Sequence, residues 1–228
     1  MDVSYLAQLL TYAVALVAGI VVHESAHALA AYALGDKTAR SRGRVSLNPL
    51  NHIDPFGTVL LPILLILAGG PVFAFAKPVP VHLGNLKHPK RDEILVSLAG
   101  PASNIVLACG AALLFRGALD ASLFAGLGTA TFDAVVSLAF AFMSVNLALA
   151  FFNLIPLPPL DGSSILVLLL RGEALRAYYR IQAYAMPILL VVLYLLPQFT
   201  GIDLIGAYFD ITMYPVYEML ARFALGVV

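Results

Sequence analysis

Long uncharged stretches alternate with short polar ones along this chain. The uncharged runs cover 3–22, 56–76, 94–115, 134–160 and 181–202. About 20 apolar residues suffice for a helix to cross the hydrocarbon of a bilayer, so each run is long enough to span or enter one. The first run continues in apolar character to Leu34, interrupted by His23, Glu24 and His27. A helix of about 30 residues there exceeds the hydrocarbon thickness and must tilt or protrude. The last stretch, 204–228, holds Asp210, Glu218 and Arg222, and either spans or lies at the interface. Glu218 and Arg222, at i and i+4, are spaced to pair. The pattern predicts an all-α polytopic membrane protein with about five or six membrane segments. It reads as a single integral-membrane domain over 1–228, with a core over 4–170 and C-terminal helices over 181–228.

Charge orders these runs. Lys37, Arg40, Arg42 and Arg44 follow the first run; Lys77, Lys87, Lys90 and Arg91 precede the third; Arg171, Arg176 and Arg180 precede the last. The connections 117–133 and 198–212 carry Asp120, Asp133, Asp203 and Asp210 and no basic residue. Basic loops favour the cytoplasmic side, so the acidic loops belong outside. Run 56–76 has basic flanks at both ends, which a single crossing would place on opposite faces. It also contains Pro62 and a Gly69-Gly70-Pro71 break. These residues favour a turn, so the run is expected to be a re-entrant hairpin that dips in and returns to the cytoplasmic side.

Composition agrees with the membrane class. Of 228 residues, 61% are hydrophobic and 11% charged, where a soluble domain carries about 25% charged residues. Mean hydropathy is +0.93. The formal net charge of zero gives no electrostatic case for nucleic acid. The lone cysteine, Cys109, has no internal disulfide partner. The first segment lacks the basic start of a cleaved signal peptide and carries Asp2 instead, so it is expected to be retained.

The chemistry is concentrated at His23-Glu24-Ser25-Ala26-His27. On a helix the two histidines share one face, one turn apart, and both imidazoles reach one metal ion, with Glu24 beside them as a base. Ionisable groups inside a membrane are costly and mark function by default. The metal is expected roughly 13 Å in from Asp36, where polarity begins, at the helical rise per residue. A catalytic zinc takes three protein ligands. His52, His82 and His88 lie in polar stretches or short loops. Asp161 is the better third ligand: it follows 27 uncharged residues and precedes an apolar run. A buried carboxylate needs a partner, and Pro156, Pro158 and Pro159 unwind the chain so that irregular backbone can present it.

Together these motifs resemble the site-2 protease family of intramembrane zinc metalloproteases, in its compact prokaryotic branch without a PDZ domain. The likeness covers most of 15–170. It is carried by His23 to His27, by Asn48-Pro-Leu-Asn-His-Ile-Asp-Pro55, by Ala99-Gly-Pro-Ala-Ser-Asn104, and by Asn153 to Gly162. The resemblance implies one zinc ion held by His23, His27 and Asp161, with Glu24 as the catalytic residue. It also implies substrate-binding or oxyanion roles for Asn153 and Asn104. The family core has no crossing between its first two helices, which agrees with the hairpin. The implied substrate is a membrane-spanning protein, such as an anti-sigma factor or a membrane-tethered transcription regulator, cut in the inner membrane at a site open to the cytoplasm. Such a substrate must unwind, and the proline-bearing stretch 77–82 is expected to be a short edge strand that receives it. The competing reading is a membrane metal-binding or metal-transport protein using the same ligands. Glu24 argues against it, because transit needs no base.

Overall fold

The computed structural model describes residues 3–67, 75–126 and 128–227. Helix α1 runs Val3–Ala33 as one piece of 31 residues. It stops where Gly35 takes φ +116°, a conformation that favours glycine, and where a Cβ would also crowd Asn85 O at 3.2 Å. Helix α2, Pro89–Asp120, opens with proline at its first position, where the missing N–H costs nothing. Its first turn is closed by the His88 N–H donating to Asp92 Oδ2 at 2.8 Å. Helix α3, Thr129–Asn153, ends just before the prolines at 156, 158 and 159. Helices α4, Gly172–Gln182, and α5, Ala185–Thr200, meet at a bend of 77°. Helix α6 runs Leu204–Leu225.

Helices α1, α2 and α3 pack on one another and form the frame of the site. Lipid is as apolar as a leucine side chain, so helices in a membrane associate mainly through close packing and hydrogen bonds. Small residues supply that closeness here: Ala15, Ala28 and Ala31 on α1, Ala108 and Ala112 on α2 and Ala150 on α3 are fully buried. Helix α6 closes the far side, where Met213, Leu220 and Ala224 join Phe115, Met143 and Leu147. Large apolar side chains on the outside, among them Leu10 and Val14 of α1 and Val106 and Leu114 of α2, are more than half exposed. Contiguous apolar exposure of this kind suits lipid and not water.

Three described helices, α1, α2 and α3, are long and apolar enough to cross a membrane, and the α4–α5 pair adds a fourth if it is one bent span. Helix α6 falls outside that set; its Glu218 and Arg222 pair at 2.8 Å as their spacing predicted. The stretch expected to be a hairpin begins as helical turns over Pro55–Leu60 and Leu61–Leu67. Its Gly-Gly-Pro break lies outside the described residues. The two ends are in register: Phe75 N–H donates to Gly57 O at 3.1 Å and Lys77 N–H to His52 O at 2.9 Å. The chain thus comes back to where it left. No strand occurs among the described residues, and 77–82 is irregular chain that passes the mouth of the site.

Candidate metal centre

His23 and His27 project from the middle of the three-helix frame, with ring centroids 4.6 Å apart and the rings nearly perpendicular. Each is held from behind. The His23 Nδ1 lies 2.6 Å from Asn104 Oδ1, and the His27 Nδ1 lies 2.7 Å from Val96 O. Both partners are acceptors, so each Nδ1 carries the proton and each Nε2 offers a lone pair. Asp161 Oδ2 stands 3.1 Å from His23 Nε2 and 3.3 Å from His27 Nε2.

Such a trio tests whether a metal fits. Two imidazole nitrogens and a carboxylate oxygen converge within hydrogen-bond distance of one another, a nitrogen and oxygen donor set of the kind that holds zinc. A tetrahedral zinc with bonds of about 2.0–2.1 Å sets its ligand atoms about 3.3 Å apart, and the two separations from Asp161 Oδ2, 3.1 and 3.3 Å, are close to that. All three ligand atoms lie within 4.8 Å of one another. The residues therefore fit a zinc ion.

The neighbouring helix makes room for it. A Cβ on Gly100 would sit 2.4 Å from His27 Nε2 and 2.6 Å from His23 Nε2. Only glycine lets α2 pass this close to the two rings. Asp161 arrives by a different route. The chain turns back on the end of α3, and a Cβ on Gly162 would lie 2.2 Å from Leu154 O. Glycine after the aspartate allows that fold-back, and Asp161 then opens a short 3-10 turn, Asp161–Ile165.

The two asparagines singled out from the sequence take different places. Asn104 is fully buried behind His23; its Nδ2 donates to Gly19 O at 3.1 Å and to Asn146 Oδ1 at 2.9 Å. Interhelical hydrogen bonds in membranes contribute only about 0.6 kcal/mol each on average, so this chain across α1, α2 and α3 serves orientation more than stability. Asn153 is half-buried and lines the cavity, with its Nδ2 donating to Leu149 O at 2.9 Å. That cavity is about 750 Å³ and includes Glu24, Asn153, Val79 and Val81 around the three ligand residues. Its size and largely apolar wall are those of a ligand site with a few placed polar groups. Glu24 has a side chain 14% exposed, with the Arg44 Nη2 3.9 Å from its Oε2.

Sequence reasoning missed Asn146 and Arg44. Asn146 is an amide within an uncharged run, which is signal enough for attention. Arg44 looked like one basic loop residue among several, and only folding brings it to Glu24. His52, fully buried, packs its Nε2 2.6 Å from Ser46 O and takes no part in the trio.

A bundle of membrane-type helices enclosing two histidines, a carboxylate and an adjacent glutamate defines a polytopic protein with a metal centre of hydrolase type. Residues 11–131 and 118–196 match peptidase family M50. The chain belongs to that family, the site-2 proteases. It is 43% identical over 155 residues to the Bacillus subtilis protein named "Putative zinc metalloprotease YwhC", covering 67% of this chain and 66% of that one. It is 35% identical over 183 residues to "Putative zinc metalloprotease Rip2" of Mycobacterium tuberculosis, covering 79% and 64%. The corresponding figures for the Mycolicibacterium smegmatis protein of the same name are 33%, 175 residues, 75% and 62%. The matched region thus spans somewhat under two thirds of each relative's length. No solved structure matches the chain.

Proposed function

We propose that this protein is an intramembrane zinc metalloprotease that hydrolyses a peptide bond in a membrane-spanning protein. The observation that carries the reading is the convergence of His23, His27 and Asp161 beside Glu24, in an apolar cavity within a helical frame. His23, His27 and Asp161 would hold one zinc ion. When bound, zinc supplies Lewis acidity that activates water and polarises a carbonyl.

The chain's own groups do the rest. Glu24 takes the proton of the attacking water and later delivers it to the leaving amine. Asn104 and Val96 O keep both imidazoles turned towards the third ligand. Asn153 faces the cavity with one amide hydrogen not committed to Leu149 O, and is the candidate donor to the developing oxyanion. A substrate helix hides its carbonyls and must unwind first. The segment 77–82, with Val79 and Val81 on the cavity, is the candidate edge against which the unwound stretch lies. Run 56–76 would be re-entrant, placing the basic loops and the opening of the site on the cytoplasmic side of the cell membrane. The family resemblance points to anti-sigma factors and membrane-tethered transcription regulators as the class of substrate.

The test is Glu24→Gln, which keeps shape and removes the carboxylate. Zinc should stay near one per chain while cleavage of a membrane-spanning substrate falls by at least about a hundredfold, the scale of general acid–base catalysis. Cleavage near the wild-type rate in Glu24→Gln would reject the protease mechanism and favour a metal-transit protein.

A further inference from the structure

Arg44 stands in an unusual position. It belongs to a loop of basic residues, yet it is only 4% exposed. Its Nη1 donates to Asn51 O and its Nη2 to Lys77 O, and the same Nη2 lies 3.9 Å from Glu24 Oε2. Its Nε is buried without a partner among the described residues. Burying a guanidinium with an orphaned N–H and a long ion pair is a poor way to gain stability. The arrangement calls for another reason.

That reason lies in what the guanidinium joins. The loop that carries it is locked to α1 next to Glu24: Ser25 donates its hydroxyl to Ser46 O at 2.5 Å, and His52 Nε2 meets the same carbonyl at 2.6 Å. Lys77 is gripped on both backbone groups, its N–H by His52 O and its C=O by Arg44. Pro78 and Pro80 have no N–H to offer, so the segment is pinned at Lys77 at its start and at its end by the His82 N–H, which donates to Asp36 Oδ2 at 2.7 Å. Between these points Val79 and Val81, two residues apart, reach the cavity that holds Glu24.

We propose that Arg44 is a positioning residue that sets the register between the segment 77–81 and the Glu24 carboxylate, so that a substrate strand lying along that segment is cut at one peptide bond. The inference rests on the protease reading above. Arginine suits the task because its planar fork bonds two carbonyls at once while its charge faces the carboxylate; lysine offers a point charge and no fork.

The experiment uses the full chain in lipid nanodiscs, as wild type, Arg44→Lys and Arg44→Met. The substrate probe is a synthetic peptide with one apolar span of about 20 residues, broken by a Gly-Pro pair. Zinc content at the wild-type level certifies the fold. Arg44→Lys keeps the buried charge and carries the register test if Arg44→Met does not fold. Amide exchange over 75–82 should be faster in both variants. Mass spectrometry of the products should show one cut in wild type and cuts at neighbouring bonds in the variants. The kcat should fall by about a hundredfold, with KM changed much less, as expected when reacting groups are held about 1 Å out of place. Unchanged exchange, or a single unshifted cut at the wild-type kcat, would overturn the proposal. Faster exchange in the variants with no cleavage by the wild type would reject the protease reading and, with it, the register-setting role of Arg44, while leaving the clamp itself in place.

Discussion

At the scale of single residues, glycine carries as much of the site as the ligands do. Gly100 is an absence of atoms: a methyl group there would overlap both imidazole nitrogens that face Asp161. Gly100→Ala should therefore drop zinc content below about a tenth of the wild-type value, by loss of ligand geometry. Alanine favours a helix over glycine by about 1 kcal/mol, so α2 should form at least as well. Gly110→Ala on the same helix is the control, because nothing lies within 4 Å of its added methyl. It should retain full zinc. Metal analysis of the two purified variants checks both outcomes, and equal zinc in the two would remove Gly100 from the site. The sequence showed His23, Glu24, His27 and Asp161 because ionisable residues stand out against apolar neighbours. Gly100 falls within the Ala99–Asn104 motif, but nothing in its own chemistry says that two rings lie against it.

Elements are joined by polar knots at their ends. Asp36, just beyond α1, is fully buried and accepts four hydrogen bonds: two from Thr38, one from the His82 N–H at 2.7 Å and one from Asn85 Nδ2 at 2.9 Å. Burial by itself would raise its carboxyl, but donation by Asn85, His82 and Thr38 to the charged form outweighs that and holds it down to about 2, against 3.8 for a free side chain. A depressed carboxylate contributes its stability above the unfolded value and loses it as pH falls through the folded one. The tether between α1 and the segment ending at His82 should be intact above pH 4 and release as pH approaches 2. Amide exchange at His82, corrected for intrinsic rate, should rise across that window, and Asp36→Asn should flatten the dependence. A profile for Asp36→Asn that matches wild type would reject this role. The three long helices were legible from the length of the uncharged runs that begin at residues 3, 94 and 134, and the end of α3 from its prolines. The tether was not legible, because Asp36 and His82 are 46 positions apart and each alone is an ordinary polar loop residue.

At the scale of the molecule, charge and hydropathy together set how the chain threads the bilayer. Residues 52–58 and 75–77 lie side by side, joined by the Phe75 and Lys77 N–H groups. If run 56–76 is re-entrant, cysteines placed at Arg42 and Lys87 should label from the same, cytoplasmic face. Labelling from opposite faces would reject the hairpin. The sequence by itself pointed to the membrane class, to long apolar helices among its five uncharged runs, and to His23, His27 and Asp161 as the residues that would converge, as they do. It could do so because hydropathy and intramembrane charge are properties of single residues and short windows. Only the tertiary structure decided that Asn104 stands behind His23 while Asn153 faces the cavity, and that Arg44 links Glu24 to Lys77. These are matters of which helix face meets which neighbour at distances of about 3 Å, set by close packing between segments far apart in the chain, and no local pattern encodes them.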